Sequence, residues 1–416
     1  MRKMGTVARV PLFFLPVYYL IFFWSSKVDW LSGDARQVST VKGSSIQYSF
    51  DRYMTWSSRF WIEGATLFSV RHFIVFVVLS LAACLMLAYS LSMLLRFDSF
   101  GMNCVLVVFL IAFFPIASLS SAGWIATIVN YLWPLSLFLC ALYGIQRSQN
   151  NQKGILIKIL ATIFLFLSVF SEILALVAAI TFVVALFFYK KEILTWFNFC
   201  CAGVIGFGVL NVLFCPGNAN RKQSEIERWF PSFHNFTAVD RMTIQINHLG
   251  VFMSESSKLT ILCLMTALLI LSVIKNKNTA TIVLVASISI QGISNHYFQL
   301  NTQRIAGLIN TAQFKVADIS VFWISALAFL FNVVLIGVAA YLLYGRTSNG
   351  VIVIGVPVIS LLATLASSES PTLIASMDRP FIFLYIALIA VAAYVVKTIT
   401  DVLIKPRPSD PAQTKS

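Results

Sequence analysis

The sequence predicts an all-α polytopic membrane protein with about 12 transmembrane helices and both termini in the cytoplasm. Of the 416 residues, 59% are hydrophobic and only 11% are charged, whereas soluble domains carry about 25% charged residues. The apolar segments are long and continuous, which favours helices, because a barrel would show short strands of alternating hydrophobicity. These two observations exclude a large soluble enzyme.

Helices that cross the hydrocarbon core need about 20 apolar residues, and the chain contains twelve runs of roughly this kind. We divide the 155–189 stretch at Ser171-Glu172, because it is too long for one span and too apolar for a loop. The runs are 10–26, 72–95, 102–119, 125–143, 155–170, 173–189, 194–214, 259–274, 279–294, 319–344, 350–366 and 381–397.

The distribution of charge predicts the topology. Short loops rich in Lys and Arg and poor in acids lie on the same face as the termini, as expected for the cytoplasmic side. The net charge of +14 comes from bases scattered at the ends of apolar runs. They form no basic stripe, so we expect contacts with membrane lipids and no nucleic-acid partner.

Most polar residues fall on the opposite face, in the predicted loops 27–71, 214–258, 295–318 and 367–380. We treat residues 1–404 as a single transmembrane domain. Residues 405–416, rich in proline, are expected to form a disordered cytoplasmic tail.

The first of these loops has the densest set of ionisable and aromatic side chains. Its candidates are the acids Asp34 and Asp51, the bases Arg36, Arg52 and Arg59, and the aromatics Tyr53 and Trp56. A carboxylate beside the membrane can deprotonate an acceptor hydroxyl, and guanidinium groups bind phosphate with paired hydrogen bonds. A solvated loop with ordinary ion pairs and an aromatic belt explains the same composition equally well.

Further candidates lie within or beside other apolar runs and in the later loops. A carboxylate in the turn at Glu172 is costly unless it is paired or faces a cavity, although exposure at a tight turn is as good an explanation. The others could contact a ligand or a lipid phosphate, or could serve only in helix packing and headgroup anchoring. They are Asn130, Tyr131, Arg221, Lys222 and Arg304.

No metal or nucleotide motif is evident. His234 and His248 have no partner at metal-binding spacing, and the seven cysteines lie within or at the edge of apolar runs. No glycine-rich phosphate loop is present. We therefore expect no metal and no cofactor, and a donor that arrives already activated.

Short motifs distributed over most of the chain resemble a known class of enzyme. They are Gly33-Asp34-Ala35-Arg36, Tyr53-x-x-Trp56-x-x-Arg59, Asn130-Tyr131-x-Trp133-Pro134, Ser171-Glu172, and Pro216-Gly217-Asn218 followed by Arg221. The pattern resembles the integral-membrane glycosyltransferases of the GT-C type. Within these, it is similar to the serotype-converting O-antigen glucosyltransferases of Shigella bacteriophages.

The resemblance implies a defined reaction and location. Such an enzyme takes glucose from undecaprenyl-phosphate glucose and attaches it to a sugar of the O-antigen repeat of lipopolysaccharide. It would act as a multi-pass protein of the bacterial host's inner membrane, with its active face and long loops in the periplasm. Its partners would be the donor lipid, the lipid-linked O-antigen acceptor and the surrounding membrane lipids.

The resemblance also implies roles for individual residues. The family's acid in the first loop corresponds to Asp34, with Asp51 as the alternative base. Asp34 is followed by Ala35 rather than by a second acid, which argues against a metal-binding pair. We expect Glu172 to orient a sugar. The departing phosphate would be stabilised by Arg52 or Arg59, with help from Arg221 or Arg304.

A transporter or flippase of a lipid-linked sugar is the main alternative. It would also have many membrane helices and outward-facing arginines. It should in addition place charges near the middle of the bilayer and show repeated halves. Neither feature is visible in the sequence.

Overall fold

The computed structural model describes residues 7–150, 154–188, 195–311, 320–372, 375–376 and 378–404. It is 86% helical, and the described residues contain no strand. The helices are α1 Phe14–Ser25, α2 Asp34–Ser39, α3 Ser45–Thr55, α4 Phe60–Arg71, α5 Phe73–Leu94, α6 Phe100–Phe113, α7 Trp124–Thr127, α8 Trp133–Asn150, α9 Ile155–Ser168, α10 Glu172–Phe188, α11 Trp196–Phe214, α12 Pro216–Trp229, α13 Ala238–Ser254, α14 Lys258–Ile274, α15 Asn278–Thr311, α16 Ser320–Tyr344, α17 Ser348–Gly350, α18 Val356–Ala366 and α19 Ile382–Ile404.

The membrane-protein class agrees with this structure. Within the described residues, seven helices are long and apolar enough to cross a membrane, or up to eight if a bent pair counts as one span. That pair is α13 and α14, which meet at 78°. The apolar helices α6, α9 and α10 are shorter. The all-α class is therefore confirmed, while twelve crossings and their orientation stay a prediction.

The segments predicted as loops are largely helical, which is a correction to the sequence analysis. Residues 27–71 contain α2, α3 and α4, and residues 214–258 contain α12 and α13. Their helix starts carry local signals: the Ser44 hydroxyl accepts a hydrogen bond from the Gln47 amide, and Thr237 and Asp240 form a capping box. The residues from 295 to Thr311 continue α15. Residues 312–319 and the tail 405–416 lie outside the described residues.

The centre of the protein is α19. Its residues from Ile382 to Val395 are all buried, and it packs against α6, α14 and α18. A helix that is apolar on every side belongs inside a bundle. By contrast, α1, α5 and α11 expose many large apolar side chains, as expected for helices that face lipid.

A π-helix at Ile128–Leu132 joins α7 to α8. Pro134 follows it and lacks the amide hydrogen that would bond to the Asn130 carbonyl in a regular helix. The amide of the preceding residue, Trp133, donates to the Ile128 carbonyl five residues earlier, which is the π-helical spacing. Such insertions often occur at functional sites, and this one carries Asn130 and Tyr131.

Candidate functional site

The candidate site is a cavity of about 320 Å³ that we call the polar cavity. This volume is at the lower end of the range for ligand pockets, about 300–1,000 Å³. Segments from three of the four predicted outer loops border it, together with Tyr131 and the start of α10. Its charged lining residues are Arg59, Glu172, Arg221, Lys222, Glu225 and Glu369.

The backbone that leads into Arg59 is fixed by the junction of α11 and α12. The Asn211 side chain donates to the Ser58 carbonyl at 2.9 Å, and the Ser58 amide donates to the Asn218 side-chain oxygen at 3.2 Å. Ser57 and Ser58 are both fully buried. Asn211 and Asn218, which are distant in sequence, therefore hold the backbone of the residue just before Arg59.

Gly217 makes the same junction possible. A Cβ atom there would overlap the Trp56 amide nitrogen and would lie 2.7 Å from the Tyr53 carbonyl oxygen. Real Cβ atoms do not approach so closely, so only glycine allows α12 to reach this backbone. The thiol of Cys215 adds a contact, at 3.1 Å from the same Tyr53 oxygen.

The Glu172 carboxylate, at the N-terminus of α10, contacts two guanidinium groups. Glu172 Oε1 lies 3.3 Å from Arg221 Nη1 and 3.6 Å from Arg59 Nε. The Ser58 hydroxyl donates to the same oxygen at 3.4 Å. Arg59 Nη1 also donates to the Asn130 side-chain oxygen at 3.4 Å, which ties the π-helix into the cluster.

The electrostatics of the two arginines differ. Burial lowers the pKa of Arg59, but the Glu172 carboxylate raises it further, so that its pKa lies above the ordinary value. For Arg221, burial and the positive charge of Arg59 outweigh Glu172, and its pKa lies below the ordinary value. Both remain cations at neutral pH. The charged lining residues are three cations and three carboxylates, so positive charge is concentrated at Arg59 and Arg221 rather than in excess over the whole cavity. These two guanidinium groups are the place in the cavity where an anion can bind.

Glu225 is a cavity residue that the sequence analysis missed. It is 9% exposed, and its Oε2 has no hydrogen-bond partner among the described residues. It lies four residues after Arg221, on the same face of α12. The spacing of Gly217, Arg221 and Glu225 would have indicated this face if the segment had been interpreted as a helix.

Part of the cavity lining is rich in hydroxyl groups. Ser367, Ser370, Thr372 and Ser376 line it, and the Ser370 and Thr372 hydroxyls lie 2.9 Å apart. Their hydrogen atoms and lone pairs can bind sugar hydroxyls as well as one another. No sequence motif marked these residues.

Arg52 and Trp56 form a separate packing cluster, and the neighbouring Tyr53 ring lies 6.2 Å from the Phe60 ring. Arg52 Nε pairs with Glu63 Oε2 at 3.2 Å, and its guanidinium lies 4.8 Å from the centre of the Trp56 ring. Burial raises the pKa of Tyr48 nearby, as do the charges of Glu63 and Asp34, while Arg52 opposes this effect. These contacts stabilise α3 against α4, and none of the cluster lines the polar cavity.

The structure does not bring the candidate acids of the first loop to the cavity. Asp34 is exposed at the start of α2, where its amide donates to the Ala122 carbonyl at 2.9 Å. Asp51 is exposed and accepts a hydrogen bond from Gln47. No guanidinium in the described part of the chain lies within 4.0 Å of either carboxylate.

The remaining candidates divide in the same way. Arg36 pairs with Asp29 at 3.3 Å, with both side chains largely exposed. Lys222 lines the cavity, with its ammonium group 5.6 Å from the centre of the Phe233 ring. The side chain of Arg304 lies outside the described part of the structure. Of the charged candidates, Arg59, Glu172 and Arg221 are therefore the ones whose side chains meet at the polar cavity.

A larger cavity, of about 440 Å³, lies between α1 and α5. Its lining is almost entirely apolar, with Phe23, Trp30 and Phe76 among its side chains. It offers no convergent charges for chemistry, so we place the candidate site in the polar cavity. Among the described residues, no three His, Cys, Asp or Glu side chains come together as a metal site requires.

No family model, no curated protein and no solved structure is detectably similar to this chain.

Proposed function

We propose that the protein is a membrane-embedded glycosyltransferase that uses a polyprenyl-phosphate sugar as donor. The observation that carries the proposal is the pair of guanidinium groups, Arg59 and Arg221, held by Glu172 beside the apolar ends of α10 and α11. A lipid-linked phosphate reaches a membrane protein at such a place, because its headgroup lies at the boundary between hydrocarbon and water.

The chemistry matches the charges. When the bond between the sugar C1 and its phosphate oxygen breaks, the polyprenyl phosphate leaves with a second negative charge. Two preorganised guanidinium groups stabilise this developing charge more strongly than the charge of the intact donor, which is the condition for catalysis. Lys222 supplies a third cation at the cavity edge.

Glu172 has a supporting role in this proposal. Three donors already contact its Oε1, namely Ser58, Arg59 and Arg221. It fixes both guanidinium groups for the phosphate, and its second oxygen can orient a sugar hydroxyl. The hydroxyl-rich wall from Ser367 to Ser376 provides further partners for a sugar ring.

The specific substrates follow from the resemblance described above and are part of the proposal. The donor is undecaprenyl-phosphate glucose, and the acceptor is a sugar of the lipid-linked O-antigen repeat. The reaction takes place on the periplasmic face of a bacterial inner membrane. The product is a glucosylated O-antigen repeat, which changes the serotype of the bacterium.

Vesicles that contain the purified protein test the proposal. They receive radiolabelled polyprenyl-phosphate glucose and lipid-linked O-antigen, and label is measured in the acceptor. Transfer by the wild type, with a loss of more than tenfold in Arg221→Gln and no loss in the exposed control Arg36→Gln, supports the proposal. Movement of labelled donor across the bilayer without transfer would instead support the flippase alternative, and no transfer in any preparation contradicts the proposal.

A further inference from the structure

A buried carboxylate with one oxygen that lacks a hydrogen-bond partner lies in the wall of the polar cavity. Glu225 is 9% exposed, and its Oε2 is enclosed without a hydrogen-bond partner. Among the described residues, no ion pair reaches Glu225 within 4.0 Å. Such a group is costly to bury, and proteins retain few of them without a use.

The other carboxylates at the cavity are already occupied. Glu172 Oε1 accepts contacts from two guanidinium groups and one hydroxyl. Glu369 pairs with Arg241 at 2.9 Å. Of these three carboxylates, Glu225 is the one with an enclosed oxygen that no hydrogen-bond donor contacts among the described residues.

The position of Glu225 along α12 also suits a base. It follows Arg221 by four residues, which corresponds to about 6 Å along a helix axis. In a displacement at C1, the attacking hydroxyl and the leaving phosphate lie on opposite sides of that carbon, so their binding groups must be several ångströms apart. The charges of Arg221 and Glu225 also attract each other, which offsets part of the burial cost.

We propose that Glu225 is the general base of the reaction, an inference that rests on the proposed function. Its carboxylate takes the proton of the acceptor hydroxyl as the acceptor oxygen forms a bond to the sugar C1. The bond between C1 and the phosphate oxygen breaks, and polyprenyl phosphate leaves with that electron pair. Glu225 then releases the proton to water, which restores the carboxylate.

The test compares Glu225→Gln with Glu227→Gln, an exposed glutamate on the same helix. Glutamine keeps the size of the side chain and removes the base. We expect Glu225→Gln to lower the transfer rate at saturating donor by about 100-fold or more. The affinity for polyprenyl-phosphate glucose should stay within twofold of the wild type, and Glu227→Gln should behave as the wild type.

Three results would overturn the assignment. The first is near-normal transfer by Glu225→Gln in a preparation where the wild type is active, which removes Glu225 and leaves the proposed function intact. The second is a parallel loss of transfer and donor affinity, which would show a structural role. The third is a wild type that binds the donor and transfers no sugar, which contradicts the proposed function itself. Glu225→Asp provides a check on geometry and should retain an intermediate rate.

Discussion

Replacing Glu172 with Gln should destabilise the protein measurably, because the change leaves Arg59 and Arg221 without their shared counter-charge. At the observed separations of 3.3 and 3.6 Å, each pair attracts by about 5 kcal/mol at an effective dielectric constant of 20. Desolvation offsets much of this, and the Glu172 side chain is 33% exposed. Breaking a buried pair costs about 3–5 kcal/mol and an exposed one about 0–1 kcal/mol. We expect about 2 kcal/mol.

Thermal unfolding in detergent, followed by tryptophan fluorescence, measures the effect. A loss of about 2 kcal/mol lowers the apparent Tm by roughly 2 °C in a chain of this size. The matched control is Asp29→Asn, which breaks a pair of similar length between exposed side chains. That control should leave Tm unchanged, since exposed pairs are screened by water and salt.

Two outcomes would refute this reasoning. Equal Tm values for Glu172→Gln and Asp29→Asn would show that the cluster is not a buried, coupled arrangement. A higher Tm for Glu172→Gln would show that the carboxylate is itself unfavourable in its setting. The second outcome would show that the free-energy cost of burying Glu172 exceeds its attraction to Arg59 and Arg221.

Gly217→Ala should lower the unfolding free energy by about 1–3 kcal/mol, because its Cβ would overlap the Trp56 amide. The control Gly203→Ala has open space around its position and should leave that free energy unchanged. Denaturant unfolding measures both variants. Asn211→Leu should cost about 1–3 kcal/mol in the same assay, because it leaves a buried carbonyl without its donor, and an unchanged midpoint would contradict the role given to this hydrogen bond. Asp34→Asn separates two assignments of the base in the transfer assay: the resemblance predicts loss of transfer, whereas the exposed position of Asp34 outside the cavity predicts that transfer is retained.

The helical class could be predicted from the sequence because burial in lipid demands long apolar runs. The number of crossings could not, since α6, α9 and α10 are shorter than a full span. Composition alone does not show how a short apolar helix lies relative to the bilayer. The helices inside the predicted loops were missed for a related reason, because α3 and α12 are polar and amphipathic rather than apolar.

The meeting of Arg59, Glu172 and Arg221 was predictable as a set of charges at the ends of apolar runs. What the sequence could not supply was the contact that joins them, since Asn211, Gly217 and the buried serines before Arg59 act through tertiary packing. Asp34 and Glu172 are both carboxylates in the sequence, and only the fold shows that Glu172 lies at the polar cavity and Asp34 does not. Charge type is visible in a sequence, whereas convergence depends on how the helices pack.

Donor affinity tests the central claim most directly, because the claim is that Arg59 and Arg221 together hold the phosphate of a lipid-linked sugar. Binding of polyprenyl-phosphate glucose and of a phosphate-free polyprenyl glucoside is measured for the wild type, Arg221→Gln and Arg36→Gln in lipid nanodiscs. We predict that the wild type and Arg36→Gln prefer the phosphate-containing lipid by more than tenfold and that Arg221→Gln loses this preference. Equal binding of the two lipids by the wild type, or an unchanged preference in Arg221→Gln, would contradict the account.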